Sequence, residues 1–308
     1  MSRAFAPGKV ILFGEHAVVY GRPALAVPVT QVQAEVEVLD STRPGVWIDA
    51  PAIDLHAELS TLPADLPLAS VIRNVFQHLG IFPFPPLTIK VASTIPVASG
   101  LGSGASVSVA LIRALSMALG YPLSDDAVNA LAYEAEKLYH GTPSGIDNTV
   151  ITYAQPVYFI KGHPIETFRT AKPFCLAIAD TGISASTREA VGEVRKLWQA
   201  NPPRWEKVFD EIGEIVRQAR QAIEDGETQL LGPLMDANHA LLQEMTVSSS
   251  ELDRLVMAAR SGGALGAKLS GGGRGGNIIA LLRPDGQEQV TAALRAAGAR
   301  NVIVTQVG

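Results

Sequence analysis

The sequence has very little cysteine and little charge, and each shortage excludes a class of protein. Cys175 is the only cysteine in 308 residues, so neither an intramolecular disulfide nor a cysteine-clustered zinc site can form. Charged residues make up 18% of the chain, and its Lys and Arg are dispersed around a net charge of −5. A general nucleic-acid binder needs a cationic surface, so we expect no nucleic-acid partner.

Long apolar runs are absent as well. No uninterrupted apolar stretch reaches the roughly 18 residues of a membrane span, and Arg113 interrupts the best candidate. The first residues, MSRAFAPGKVIL, contain no long apolar core and no export cleavage pattern. We therefore expect a soluble, cytoplasmic protein that has no membrane partner.

What the chain has in abundance is aliphatic sequence in alternating strand and helix patterns. Its length suggests two domains or one large one. The Gly- and Pro-bearing region 162–173 is the best boundary, which gives domains 1–165 and 166–308. The apolar spacing predicts a mixed α/β (α+β) protein. Its predicted strands are 31–38, 87–94, 156–161, 174–180, 264–269, 277–282 and 301–307, and its predicted helices are 68–79, 105–119, 186–199, 203–225, 228–245 and 286–297, with others beginning after Ser124 and from Ser250.

The first motif with chemical content is APGKVILFGEHAVVYGRPALAV, residues 6–27. Glycines punctuate short apolar runs there, which indicates tight hairpin turns. Lys9, Glu15 and His16 are ionisable groups within this otherwise apolar stretch. Any one of them alone would indicate a solvated surface charge, but the three together beside glycines favour a functional site.

The second motif, IPVASGLGSGASVSVA at residues 95–110, predicts a phosphate-binding loop. A strand, a Gly/Ser loop and a helix of small residues can direct backbone N–H groups and a helix N-terminus at a phosphate. A lone glycine would indicate only a tight turn. The chain has no Walker A sequence, and a second helix follows where a dinucleotide-binding fold needs an acid-bearing strand, which excludes that fold.

Two further segments carry candidate polar groups. Glu136 and Asp147 flank the HGTPSG turn, where a plain surface turn is the alternative. One carboxylate could hold Mg²⁺ and the other could accept a hydroxyl proton. In KLSGGGRGGNIIALL, residues 268–282, five glycines surround Arg274 between two predicted strands, and Arg274 could meet an anion in bidentate fashion.

These four segments together resemble the GHMP kinases, the family that phosphorylates galactose, homoserine, mevalonate and phosphomevalonate. The family's three motifs occur in order, and the resemblance covers essentially the whole chain. It implies a two-domain GHMP kinase fold, in which the N-terminal domain has a left-handed βαβ unit and the C-terminal domain is ferredoxin-like, with ATP and substrate in the cleft between them. The first motif and EKLYHGTPSGIDN are most similar to the branch that acts on mevalonate.

The resemblance also implies roles for residues. Asp147 resembles the catalytic base and Lys9 its partner. Glu136, together with Ser103, resembles the Mg²⁺ site, and Glu15, His16 and Gly272 resemble substrate-binding residues, with His16 a candidate contact for the substrate carboxylate. The implied reaction is phosphoryl transfer from ATP to the 5-hydroxyl of mevalonate, with Mg²⁺ as cofactor and a homodimer as one possible assembly. The implied phosphate loop consists of Ala98, Ser99, Gly100, Leu101, Gly102, Ser103 and Gly104.

Two departures from the family pattern bear on these roles. Gly104 stands where a second serine, a usual Mg²⁺ ligand, is common, so Ser103, Ser106 or water would complete the metal site. Arg274 and Asn277 stand where glycine and cysteine are common. Two alternatives stay open: a kinase for phosphomevalonate or another small alcohol on the same scaffold, and a non-catalytic nucleotide-binding regulator.

Overall fold

The computed structural model describes Met1–Gly308 except residues 97–99 and 141–142 and the side chains of residues 139 and 140. The chain divides into two compact units. The first unit comprises Met1–Lys9, Val32–Val97 and Leu101–Ala154, and the second comprises Val10–Gln31, Ala98–Gly100 and Gln155–Gly308.

A hairpin of two long strands, β1 (Ser2–Phe13) and β2 (Ala24–Asp40), contributes to both units. In the first unit the strands follow the order β4-β3-β5-β2, where β3 is Val46–Ala50, β4 is Leu55–Glu58 and β5 is Leu87–Ser93. β3 pairs with β5 in parallel, and β2 pairs with β5 antiparallel. Ala34, Val36 and Val38 are buried, as period-two alternation predicts for a strand with one face on the core.

The helices of the first unit pack in one core with these strands. They are α1 (Pro67–Leu79), α2 (Ser103–Ala118), α3 (Asp125–His140) and α4 (Ile146–Tyr153). α1 ends at Gly80, whose φ of 67° lets it adopt the left-handed conformation of a helix C-terminus. The predicted cap at Ser124 is confirmed, because its hydroxyl accepts a hydrogen bond from the Ala127 N–H at 3.3 Å.

The second unit contains an antiparallel sheet in the order β11-β8-β10-β9. The start of β2 also pairs there with β6 (Val157–Phe159), which pairs with β7 (Glu166–Thr167). The sheet strands are β8 (Phe174–Asp180), β9 (Gly266–Ser270), β10 (Asn277–Leu281) and β11 (Asn301–Val307). The helices are α5 (Thr187–Ala200), α6 (Pro202–Asp225), α7 (Leu231–Glu244), α8 (Ser250–Ser261) and α9 (Gln287–Ala296).

The mixed α/β class is confirmed, but the sequence pattern was wrong about Gly8 and missed several strands, among them β3, β4 and β7. Gly8 lies inside β1 rather than at a turn, whereas Gly14 and Gly21 do have positive φ values. Strands β3 and β4 were not predicted, because Pro51 and the left-handed Asp54 interrupt their apolar pattern after only a few residues. In the described part of the chain, no helix is both long and apolar enough to cross a membrane.

Candidate active site

Lys9 and Asp147 form an ion pair in the first unit. Lys9 is 7% exposed, and its Nζ lies 3.1 Å from Asp147 Oδ2. Asp147 is held at the first turn of α4, which begins after Gly145 in the left-handed conformation. The Lys9 backbone N–H donates to the Leu101 carbonyl at 3.0 Å, so the pair is fixed beside the predicted phosphate loop.

The described part of that loop leads directly into α2. Gly100 and Gly102 both have φ of 76°, and a Cβ on Gly102 would lie 2.9 Å from Ile151 Cδ1 and 3.0 Å from Lys9 Cγ. Gly102 therefore serves both the backbone conformation and the close approach of Lys9. The first N–H groups of α2, from Ser103 onward, have no partner within the helix and can bind an anion. Ala98 and Ser99 of the predicted loop lie outside the described residues.

Glu136 is the second acidic side chain near this pair. It lies on α3 and is 3% exposed. Burial and, to a smaller extent, the negative charge of Asp147 raise the pKa of its carboxyl from 4.5 to about 7, against the opposing effect of the Lys9 charge. A desolvated carboxyl beside a second acid is a group that gains by binding a cation.

The serines near the start of α2 differ in what they can offer a metal ion. The buried Ser106 hydroxyl lies 2.6 Å from the Pro7 carbonyl and 2.9 Å from the Gly102 carbonyl, so backbone acceptors engage it. Ser103 is the first residue of α2, and Gly104 follows it with helical backbone. Position 104 therefore does not require glycine for its conformation.

His16 lies in the second unit, against the glycine-rich segment 268–282, which is the third motif. Its Nε2 lies 3.0 Å from the Gly272 carbonyl oxygen. A carbonyl only accepts, so Nε2 carries the proton and donates it. Burial lowers the pKa of His16 to about 4, with the nearby charges of Arg274 and Lys268 adding to the effect. His16 is therefore neutral at pH 7, and its Nδ1 is an acceptor that meets no hydrogen-bonding group in the described part of the chain.

Glu15, the residue before His16, forms a buried ion pair with Lys268 of β9. Lys268 is completely buried, and its Nζ donates to Glu15 Oε1 and, at 2.7 Å, to the Leu269 carbonyl. Burial lowers the pKa of Lys268, and the Glu15 carboxylate opposes that shift. Sequence reasoning missed Lys268, although a lysine within an apolar strand was a usable signal.

A second buried histidine, also missed, fixes the strand that carries Lys268. His239 Nδ1 accepts from the Leu269 N–H at 3.3 Å, and Nε2 lies 3.1 Å from Asp253 Oδ1. Burial lowers the pKa of His239 to about 4. The neutral ring takes part in both hydrogen bonds. These bonds link α7, which carries His239, and α8, which carries Asp253, to β9.

The loop that follows β9 is held by its backbone. The Arg274 N–H donates to the Val247 carbonyl at 2.7 Å, and the Gly276 N–H donates to the Ile183 carbonyl at 2.9 Å. A Cβ on Gly272 would lie 2.7 Å from Thr187 Oγ1, which explains a small residue at that position. Arg274 adopts φ of 60°, a left-handed conformation that is uncommon outside glycine.

The predicted residues thus form two groups, one in each unit. Lys9, Asp147 and Glu136 cluster in the first unit, and Glu15, His16 and Gly272 cluster in the second. Among the residues that the structure describes, no set of three or more His, Cys, Asp and Glu side chains is arranged to hold a metal ion. A metal in the first unit would depend on oxygen atoms from fewer side chains, from ligand and from water.

The arrangement of acid, lysine and glycine-preceded helix N-terminus is typical of a phosphoryl-transfer enzyme. The family model for the GHMP kinases N terminal domain matches residues 67–155, and the model for the GHMP kinases C terminal matches residues 219–300. The chain belongs to the GHMP kinase family, with its two-domain mixed α/β fold.

Three similar proteins within the family are each named mevalonate kinase. A mevalonate kinase from Thermococcus sibiricus is 35% identical, with 97% of this chain and 94% of that protein aligned. The crystal structure of L. major mevalonate kinase with R-mevalonate matches with a TM-score of 0.87 and 33% identity, covering 100% of this chain and 96% of that one. Methanococcus jannaschii mevalonate kinase matches with a TM-score of 0.86 and 27% identity, covering 99% and 96%.

Proposed function

We propose that this protein transfers the terminal phosphoryl group of ATP to the primary 5-hydroxyl of mevalonate, giving ADP and 5-phosphomevalonate. The observation that carries the proposal is the Lys9–Asp147 ion pair, fixed at 3.1 Å beside the loop that opens α2. The similarity to mevalonate kinases over nearly the whole chain supports this acceptor.

Asp147 is the group that accepts the proton of the attacking hydroxyl. Its carboxylate is partly exposed, whereas the Lys9 ammonium is almost fully buried, so the lysine is held while the acid faces the acceptor. The positive charge of Lys9 stabilises the alkoxide character that develops as the proton leaves. Both effects require that the two side chains stay together, which the anchored backbone of Lys9 ensures.

The phosphates of ATP bind at the N-terminus of α2, which follows the left-handed residues Gly100 and Gly102. Glu136 and Ser103 would hold Mg²⁺, and the fit is supported by a buried carboxyl whose pKa is raised to about 7. When bound, Mg²⁺ neutralises charge on the phosphate oxygens. Because magnesium usually retains several water ligands, one carboxylate and one hydroxyl are a sufficient protein contribution.

Glu15, His16 and Gly272, which lie together in the second unit, are the proposed substrate-binding residues. His16 presents Nδ1 as an acceptor, which suits a hydroxyl group of the substrate better than a carboxylate. Glu15 Oε2 is a second buried acceptor without a hydrogen-bonding partner among the described residues. Two unpaired acceptors side by side in the sequence favour a polyhydroxylated ligand.

The alternatives receive less support. A phosphorylated acceptor would need further cations. Arg22 is paired with Glu206 and Asp210, and Lys137 is paired with Glu134, whereas Arg188 and Arg195 are exposed and form no ion pair with a carboxylate in the described part of the chain. A regulator that only binds nucleotide would not need a buried lysine held against an acid.

The test is ADP release with Mg²⁺ and ATP across mevalonate, phosphomevalonate, galactose and homoserine. We expect mevalonate to give a kcat/KM at least about 100-fold above every other acceptor, a difference of roughly 3 kcal/mol. Asp147→Asn is the control for contaminating kinases, since it removes the proposed base. A preference for another acceptor, or ATP binding without turnover of any of them, would contradict the proposal.

A further inference from the structure

The proposed substrate-binding residues Glu15, His16 and Gly272 do not supply the positive charge that a mevalonate carboxylate needs. Mevalonate is a carboxylate at neutral pH, and an anion bound away from water requires a cation or several N–H donors. His16 is neutral and donates its only ring proton to Gly272. A further cation is therefore needed to meet the carboxylate.

Two cations lie near enough to His16 for their charges to act on its ring, namely Lys268 and Arg274. Lys268 is completely buried and already bonded to Glu15 and to the Leu269 carbonyl. Its charge is compensated, so it cannot serve a ligand without breaking a buried ion pair.

Arg274 is the cation that remains. It lies two positions after Gly272, whose carbonyl binds His16, and its own N–H is fixed to the Val247 carbonyl at 2.7 Å. Within the described part of the chain, no carboxylate forms an ion pair with its guanidinium. Glu193, on which the charge of Arg274 also acts, is bonded instead to Lys196 at 2.7 Å.

The backbone at Arg274 adds an independent observation. Its φ of 60° is less favourable for arginine than for glycine. Such backbone strain persists mainly at positions where the side chain has a functional role. Glycines surround it on both sides in the loop, so the arginine is the one bulky side chain between Gly271 and Gly276.

We propose that Arg274 binds the carboxylate of mevalonate through its guanidinium and selects for acceptors that carry this charge. The assignment rests on the proposed function. Arginine suits the role because its planar group presents two parallel N–H donors to the two carboxylate oxygens. His16 Nδ1 is then left for a hydroxyl of the same molecule.

Three variants test the assignment. Arg274→Gly removes the charge and relieves the backbone, so it should fold with an unreduced melting temperature. Its KM for mevalonate should rise about 10- to 100-fold, as expected for loss of a charge-assisted hydrogen-bonded pair, with kcat and the KM for ATP changed less than about threefold. Arg274→Lys should recover part of the loss. Arg283→Gln, which removes an exposed arginine just after β10, is the matched control and should behave as wild type.

The neutral triol obtained when the carboxylate of mevalonate is reduced to an alcohol separates charge recognition from loop shape. Its inhibition constant should be the same in wild type and Arg274→Gly. An unchanged KM for mevalonate in Arg274→Gly, an equal loss for the triol, or a loss confined to ATP would each overturn the role of Arg274 while leaving the proposed function standing. If the wild type turned over no mevalonate, the proposed function would fail, and this inference with it.

Discussion

Glu15 and Lys268 are 253 positions apart in the sequence and form an ion pair that is shut off from water. The pair joins the segment that carries His16 to strand β9, from which the third-motif loop continues to Gly272. Removing one partner of such a pair leaves an uncompensated buried charge. The Glu15–Lys268 pair therefore determines whether the group of Glu15, His16 and Gly272 can form.

Lys268→Met should therefore destabilise the protein far more than the loss of a surface lysine. We expect a reduction of about 3–5 kcal/mol in the free energy of unfolding, because Glu15 stays buried without its partner. Urea unfolding followed by circular dichroism measures it, with the exposed Lys196→Met as control. A variant within about 1 kcal/mol of wild type would show that the Glu15 carboxylate is not charged or not sequestered in solution.

Glu136→Gln should raise the Mg²⁺ concentration needed for half-maximal turnover at saturating ATP. The amide keeps the shape of the side chain but loses the charge that attracts the ion. In wild type this requirement should fall as pH rises from 6 to 8, since Mg²⁺ competes with a proton on a carboxyl whose pKa is about 7. The pH trend should be weaker in the variant, where the titration of ATP itself still contributes.

Gly104→Ser is the companion variant, which should lower the Mg²⁺ requirement that Glu136→Gln raises. Position 104 lies within α2 with helical backbone, so a serine there needs no left-handed conformation and adds a hydroxyl near the proposed metal. The Mg²⁺ requirement should fall. If Glu136→Gln left the requirement unchanged at every pH, Glu136 would serve packing within α3 rather than the metal.

The raised pKa of Glu136 also implies that the stability of the ligand-free protein depends on pH. Its ordinary pKa is 4.5 and its folded pKa is about 7, so the folded state binds more protons between these values and stability falls as pH rises through this range. Glu136→Gln cannot ionise and escapes this loss. In EDTA, its melting temperature should match that of wild type near pH 4.5 and exceed it by a few degrees at pH 8.

The comparison must use the difference between the two proteins at each pH. His16 and His239 have pKa values lowered to about 4, so the unfolded state binds more protons between about 4 and 6.5 and both proteins lose stability on acidification. A melting-temperature difference that is constant from pH 4.5 to 8 would mean that Glu136 has an ordinary pKa in the folded protein.

The sequence predicts more of the fold than of the contacts within the site. The spacing of apolar residues and the helix-ending Gly80 predict α1 and β8 almost to the residue, because both signals act locally. The ion pair between Lys9 and Asp147 follows from the family resemblance, but the position of Lys268 opposite Glu15 depends on packing between distant segments. No local pattern contains that information.

Gly102 illustrates the same limit at one residue. The sequence marks it as a flexible phosphate-loop glycine, whereas the structure adds that Lys9 and Ile151 leave no room for a Cβ. A bulky substitution there would displace Lys9, the proposed partner of Asp147, as well as strain the loop backbone. It would therefore not separate nucleotide binding from chemistry.

The most direct test of the account is turnover of Asp147→Asn with ATP and mevalonate, alongside Asp65→Asn as an exposed control. Asparagine preserves size and hydrogen bonding but cannot take the hydroxyl proton. We expect kcat to fall by about 10²–10⁴, while ATP affinity measured by calorimetry and the melting temperature change little and the control behaves as wild type. Turnover of Asp147→Asn within about threefold of wild type would contradict the account, because no acid beside Lys9 would then be needed.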